Sequence, residues 1–280
     1  MLNMIRMDLY RMFRTKSLYV IFAIMLGMLL FTMTQVSSEM KDGVMSEDYA
    51  VQQQELSSDS GNIGISATLP TAAGEKITLF DLLFSDINAK ILALYMVIFA
   101  VLFGTADFSS GYIKNFAGQV NGRWKLVLSK AISLFLYTVL IVGVEVILQW
   151  IFASIFFKGI PLGNVSHMIS YLGIQCILHF ALVCVCMAFA VVIRNNLVSM
   201  ILAVCLCMNV LTIFYGAVDK LADKLGMKDF SVMKYTITGK MSMLSMVPSW
   251  KEGVGALTVA AVFVVVSLFA AGFIFEKRDV

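Results

Sequence analysis

Six stretches of this chain, residues 17–35, 91–107, 131–157, 168–193, 197–216 and 255–275, are apolar almost without interruption. The hydrocarbon core of a bilayer is roughly 30 Å thick and takes about 20 helical residues to cross, which is the length these stretches offer. In lipid a backbone must satisfy its own hydrogen bonds, so segments of this kind fold as helices. Composition agrees: 60% of the 280 residues are apolar and 14% charged, where soluble domains carry about 25% charged residues. The chain therefore reads as an all-α polytopic membrane protein with six transmembrane helices, a single domain over 1–280. The first stretch, SLYVIFAIMLGMLLFTMTQ, is longer than the apolar core of about 7–15 residues in a signal peptide and lacks a small-residue cleavage site, so it is expected to remain as a span.

Lys and Arg near the span ends set the orientation. With both termini in the cytoplasm, Arg6, Arg11, Arg14, Arg123, Arg194 and Arg278 all fall on the cytoplasmic side. The outer loop 36–90 is acidic, with Glu39, Asp42, Glu47, Asp48, Glu55, Asp59, Glu75, Asp81 and Asp86 against Lys41, Lys76 and Lys90. The second outer loop, 217–254, runs against the rule, because Lys220, Lys224, Lys228, Lys234, Lys240 and Lys251 then lie outside. Its stretch MSMLSMVPSW turns apolar again, as in a segment that re-enters the membrane or packs as a lid.

Residues 1–16 are too charged to enter the core. At 100° per residue Leu2, Ile5, Leu9, Met12 and Phe13 gather on one side while Asn3, Arg6, Asp8, Tyr10, Arg11 and Arg14 occupy much of the other. That pattern reads as an interfacial amphipathic helix with its cations beside anionic headgroups, or more plainly as a positively charged flank of the first span. A second amphipathic pattern, Leu79, Leu82, Leu83 and Ile87, is expected either to lie on the membrane or to lead into the second span.

The five cysteines, Cys176, Cys184, Cys186, Cys205 and Cys207, all fall within spans four and five. Positions i and i+2 of a helix point about 200° apart, so the Cys-x-Cys pairs read as small packing residues and no metal site is expected.

Polar side chains inside the spans are the candidates for function, since a membrane-buried ionisable group is expensive. On a 1.5 Å rise, Glu145 lies ~21 Å above the inner end of the third span and His179 the same height above that of the fourth. Gln149 and Gln175 stand four residues further out, at ~27 Å, and Asn209 in the fifth span at ~18 Å. The set reads either as interhelical glue, at about 1 kcal/mol for each hydrogen bond, or as a translocation path in which Glu145 and His179 meet.

The segment DFSSGYIKNFAGQVNGRWKLVLSK, which closes the second span and leads into the third through the cytoplasmic stretch 108–130, is neither a tight turn nor polar filler. Gly111, Gly118 and Gly122 punctuate it, while Arg123, Lys125 and Lys130 stand at expected headgroup level with Trp124 as an interfacial aromatic. An amphipathic N-terminal helix, six spans, a large outer loop after the first and this acidic, glycine-dotted, basic insert together resemble the type-2 ATP-binding-cassette permeases. The chain is most similar to the six-span permeases of bacterial bacteriocin and lantibiotic-type peptide exporters. Layout carries the resemblance over nearly the whole chain, and the motif over about 25 residues.

The resemblance implies that the insert is a coupling helix docked on a cytoplasmic ATPase. It carries over to Asp107, Gly111, Arg123 and Lys130, with Tyr112, Ile113, Phe116 and Val120 as contact side chains. Where relatives often have a proline before the arginine, this chain has Asn121 and Gly122. No phosphate-cradling Gly-x-x-x-x-Gly-Lys-Ser/Thr loop is present; TITGKMS, around Gly239, lacks the first glycine and follows Lys240 with Met241. The chain is therefore expected to be a transport subunit rather than an enzyme, binding no cofactor itself. ATP and magnesium would sit on the ATPase, with a second permease copy or paralogue and membrane lipid as further partners and no nucleic acid. By the same resemblance the setting is a bacterial inner membrane and the cargo an antimicrobial peptide. The alternatives are an ion-coupled secondary transporter using Glu145 and His179, and a membrane sensor that moves nothing.

Overall fold

The computed structural model describes residues 1–41, 43–47, 51, 67–109, 124–157, 159–208, 210–227 and 230–277. Among them the chain is mostly helical, with a short antiparallel pairing of β1 (Met40–Lys41) with β2 (Val44–Met45) and a single bridge from Val44 to Lys76. Helices α1 (Leu2–Arg14) and α2 (Lys16–Glu39) are followed by α3 (Leu79–Asn88), α4 (Ile91–Ser109), α5 (Trp124–Phe156), α6 (Val165–Ile193), α7 (Asn196–Cys207), α8 (Thr212–Lys224), α9 (Ile237–Met243) and α10 (Trp250–Lys277).

Four of these, α2, α5, α6 and α10, are long and apolar enough to cross a membrane. Two further crossings exist if each bent pair counts as one: α3 with α4, bent by 51°, and α7 with α8, bent by 63°. The protein is thus a helical membrane protein with between four and six spans. Large apolar side chains that face outward along these helices, among them Phe31, Ile155, Ile169, Val265 and Phe269, are exposed. An apolar surface of this extent suits lipid rather than water.

The two bent pairs modify the sequence expectation. The amphipathic pattern before the second span forms α3, and α3 packs inward instead of lying on a surface: Leu79, Phe80, Asp81, Leu82, Leu83, Ser85, Asp86 and Ile87 are all buried. A capping box starts it, the Thr78 hydroxyl accepting from the Asp81 N–H and the Asp81 carboxylate accepting from the Thr78 N–H. Its first N–H is held by the Pro161 carbonyl at 3.0 Å. Lys90, buried in the break before α4, adopts φ 62, a left-handed conformation that turns the chain between the two helices. The fifth expected span, 197–216, is broken after Cys207 instead of running as one helix.

Among the four long helices α6 is the most buried, packed against α4, α5, α7 and α10. Its approach to α4 depends on Gly104, where a Cβ would stand 2.8 Å from the Ala190 Cβ, too close for any larger residue without a shift. Phe99 and Tyr137 fill the α4–α5 seam with ring centroids 4.3 Å apart. Cys184, Cys186 and Cys207 lie buried in this core as small packing side chains.

Helix α1 lies against the start of α5 and presents Met4, Asp8 and Met12 to it. Asp8, expected on the polar face, is only 3% exposed and accepts a 2.6 Å hydrogen bond from the Ser129 hydroxyl. Leu2 and Phe13, from the apolar side of the helical wheel, remain exposed. The helix therefore seats Met4, Asp8 and Met12 on the bundle with Leu9 packed beside them, and leaves only part of its apolar side, Leu2 and Phe13, facing outward.

At the opposite end of the bundle the apolar part of loop 217–254 packs inward. Ile237, Met241 and Leu244 are buried, and Gly239 lies directly against the Met233 carbonyl, where no side chain fits. The TITGKMS stretch is thus the start of a packed helix, capped by the Thr236 hydroxyl accepting from the Gly239 N–H.

Candidate functional site

The polar side chains of the spans converge in the half of the bundle away from α1. From α5, Glu145 and Gln149 stack one turn apart, 3% and 1% exposed. Gln149 Nε2 donates to the Asp86 carboxylate of α3 across 3.0 Å, and Asp86 is itself buried. Glu145 lies within electrostatic reach of Asp86. Three acidic or amide groups from two helices therefore share one apolar interior.

A second group hangs on α6. Gln175 Nε2 donates to the Tyr171 hydroxyl at 3.1 Å and to the Met241 carbonyl at 3.0 Å, tying α6 to α9. His179 Nδ1 lies 2.7 Å from the Gln175 carbonyl. A carbonyl only accepts, so in the neutral ring Nδ1 carries the proton and Nε2 is left as an acceptor.

The expected meeting of Glu145 with His179 does not occur as a hydrogen bond, because Glu145 Oε2 and His179 Nε2 are each buried without a partner. The reason is local: the histidine ring is engaged by its own helix one turn back, and the nearest acidic neighbour of Glu145 comes from α3. Gln149 Oε1 and Gln175 Oε1 are likewise buried and unpartnered. Buried polar atoms are normally satisfied; of these four orphans the two amide oxygens and His179 Nε2 are acceptors, and the Glu145 oxygen accepts when ionised and can donate when protonated.

Asp86 is the residue that the sequence reading missed, having been counted among the acids of a solvated loop. Its signal was present, since it follows Leu82 by four residues and Leu83 by three and so falls on the apolar stripe of its helix.

Beside Asp86 and Gln149 opens a cavity of about 220 Å³ between α2, residues 67–69, α3 and α5. Its walls include Phe31, Thr32 and Leu69.

The candidate coupling residues are placed only in part. Asp107 lies in the last turn of α4. Gly111, Tyr112, Ile113, Phe116, Val120 and Arg123 fall outside the described residues, as does Asn209 of the candidate path. Lys130, expected at headgroup level, instead turns into the bundle: it is buried, donates to the Phe103 carbonyl at 3.3 Å and sits 4.4 Å over the Phe103 ring. The long aliphatic stem lets the ammonium reach a carbonyl near the end of α4, and the aromatic face adds a cation–π contact. Lys130 thus ties α5 to α4 instead of presenting its charge outward.

Among the described residues no cluster of three or more His, Cys, Asp or Glu side chains is arranged to hold a metal ion.

Comparison with curated proteins finds no match. The family of proteins of unknown function DUF2705 matches residues 49–280, most of the chain and all of the far-half polar cluster, and the protein belongs to that family.

Proposed function

We propose that the protein is the transmembrane subunit of an ATP-driven exporter in a bacterial plasma membrane, with both termini in the cytoplasm and a peptide as cargo. The observation that carries the reading is the buried set Asp86, Glu145, Gln149, Gln175 and His179 inside a bundle of membrane-length helices. Carboxylates and amides at that depth are unfavourable, and where they persist they mark substrate or ion paths. The energy source has to come from elsewhere, because TITGKMS is helix start rather than phosphate loop. The glycine-punctuated basic insert 108–130 supplies a docking element for a separate ATPase that carries ATP and magnesium, and a second permease copy or paralogue would complete the path.

An ion-coupled carrier is the second reading, favoured by the unpartnered, buried Oε2 of Glu145. Co-purification separates the two. The tagged full chain is solubilised gently from its native membrane and assayed for a bound subunit that hydrolyses ATP, beside a variant carrying Phe116→Glu and Arg123→Glu. The exporter reading expects an ATPase with the intact chain and its loss from the variant. Absence of any ATPase from intact protein across several mild detergents, with proton flux that depends on Glu145, would establish the carrier instead.

A further inference from the structure

The cavity beside Asp86 is the feature with the most specific chemistry. Its base is a carboxylate held in place by Gln149 Nε2, and the same amide leaves Oε1 buried without a partner. The amide orientation follows from chemistry, because a carboxylate accepts and only the nitrogen end of Gln149 can donate to it. Thr32 gives its hydroxyl proton to the Leu29 carbonyl at 3.1 Å, so its oxygen is free to accept. The Asp86 carboxylate and the Thr32 oxygen thus offer acceptors to whatever enters, with Gln35 and Ser85 completing the polar lining, while Gln149 serves to hold the carboxylate in place.

The walls are of the opposite character. Phe31 and Leu69 supply aromatic and aliphatic surface, and a ring face attracts a cation. The volume of about 220 Å³ is about seven times the ~30 Å³ that a water molecule occupies in the liquid, room for an alkyl chain with a planar head. A bare metal ion would find one carboxylate and too few further ligands there, and the described residues contain no cluster built for one. A donor-rich organic cation meets these conditions, a guanidinium best, since its planar fork suits a carboxylate and a neighbouring hydroxyl oxygen together.

We infer that the cavity between α2, α3 and α5 is a binding site for an alkylguanidinium or alkylammonium group, seated on Asp86 beside Thr32 with its chain against Phe31 and Leu69. The group belongs either to a small organic cation or to an arginine or lysine side chain of a peptide. The inference deepens the exporter reading by giving the cargo a chemistry and rests on that reading for the word cargo. Binding itself needs neither ATP nor a partner subunit.

The test uses the full chain in lipid nanodiscs, with empty nanodiscs subtracted for partitioning. The probes are butylguanidinium, its uncharged isostere butylurea, sodium ion, and a short end-blocked arginine peptide. Two variants accompany wild type: Asp86→Asn, which removes the charge, and Thr32→Trp, which fills the cavity and leaves the charge in place. Butylguanidinium is expected to bind saturably, and to bind at least about tenfold more weakly in each folded variant, the scale of one charge-assisted hydrogen bond. Butylurea is expected not to saturate. Competition by the arginine peptide assigns the site to peptide side chains, and its failure to compete assigns it to small cations; both outcomes support the site. Saturable butylurea binding, an affinity unchanged in Thr32→Trp, displacement by sodium alone, or no binding to the folded wild type would each overturn it. No nucleotide or ATPase enters the assay, so its failure leaves the exporter reading standing, and failure of co-purification leaves the cation site standing.

Discussion

Gln149 donates a hydrogen bond to Asp86 across 3.0 Å, joining α5 to a helix that precedes the second span by a sharp bend. This bond is one of the ties on α3, which at ten residues is too short to cross a membrane by itself and is held by what it buries and by what it bonds. Removing either partner leaves the other polar and buried. In a double-mutant cycle of Asp86→Ala and Gln149→Leu the coupling is expected at roughly 0.5–2 kcal/mol, the range found for interhelical hydrogen bonds in membranes. Reversible unfolding in mixed micelles measures it, and strict additivity would show that the bond contributes nothing.

Glu145→Gln keeps shape and volume while removing an ionisable group whose Oε2 has no hydrogen-bond partner. The variant is expected to express and assemble as wild type, with ATP hydrolysis by the co-purified complex changed by about tenfold or more, equivalent to ~1.4 kcal/mol. An unchanged rate at normal expression would make Glu145 a structural residue.

Asp8 anchors α1 to α5 through Ser129 at 2.6 Å. Asp8→Ala is expected to loosen the N-terminal helix by about 1–3 kcal/mol, the range for a lost bond to a buried charged group. Hydrogen exchange of the amides of residues 2–14 reads the effect directly, with faster exchange there and unchanged protection in α6. Ser129→Ala, which keeps the carboxylate and deletes one donor, is expected to do less.

Gly104 faces Ala190 so closely that a Cβ would stand 2.8 Å from the alanine methyl. Gly104→Val is expected to cost about 1–3 kcal/mol through overpacking, seen as a lower midpoint in thermal unfolding. Pairing it with Ala190→Gly is expected to recover part of the loss, which separates a packing clash from a loss of glycine flexibility.

Much of this architecture was legible in the sequence because a bilayer demands length: 17–35, 168–193 and 255–275 each lie within a long helix and 131–157 does so but for its last residue, since twenty apolar residues have few other ways to be satisfied. The bends were not legible. Apolarity persists on both sides of Cys207, and the one polar residue between α7 and α8, Asn209, read as a candidate path residue rather than as the mark of a break. Asp86 was misplaced because it stands among nine carboxylates of a polar loop, although its register with Leu82 and Leu83 set it apart from the others. Asp8 was misplaced for a related reason: a helical wheel ranks residues by hydropathy, and the face seated on the bundle, Met4, Asp8 and Met12, is chosen by a partner, Ser129, that lies 121 residues away. Lys130 shows the same effect in reverse, its inward turn set by the Phe103 ring and carbonyl.

The account stands or falls on whether residues 108–130 meet an ATPase. The most direct measurement places a photo-crosslinking phenylalanine derivative at Phe116 of the full chain in living cells, irradiates, and identifies the adduct by mass spectrometry. The account predicts a single protein adduct, a cytoplasmic subunit that binds and hydrolyses ATP, lost when Arg123→Glu is added. Adducts with lipid alone, or with a protein that has no nucleotide site, would contradict it.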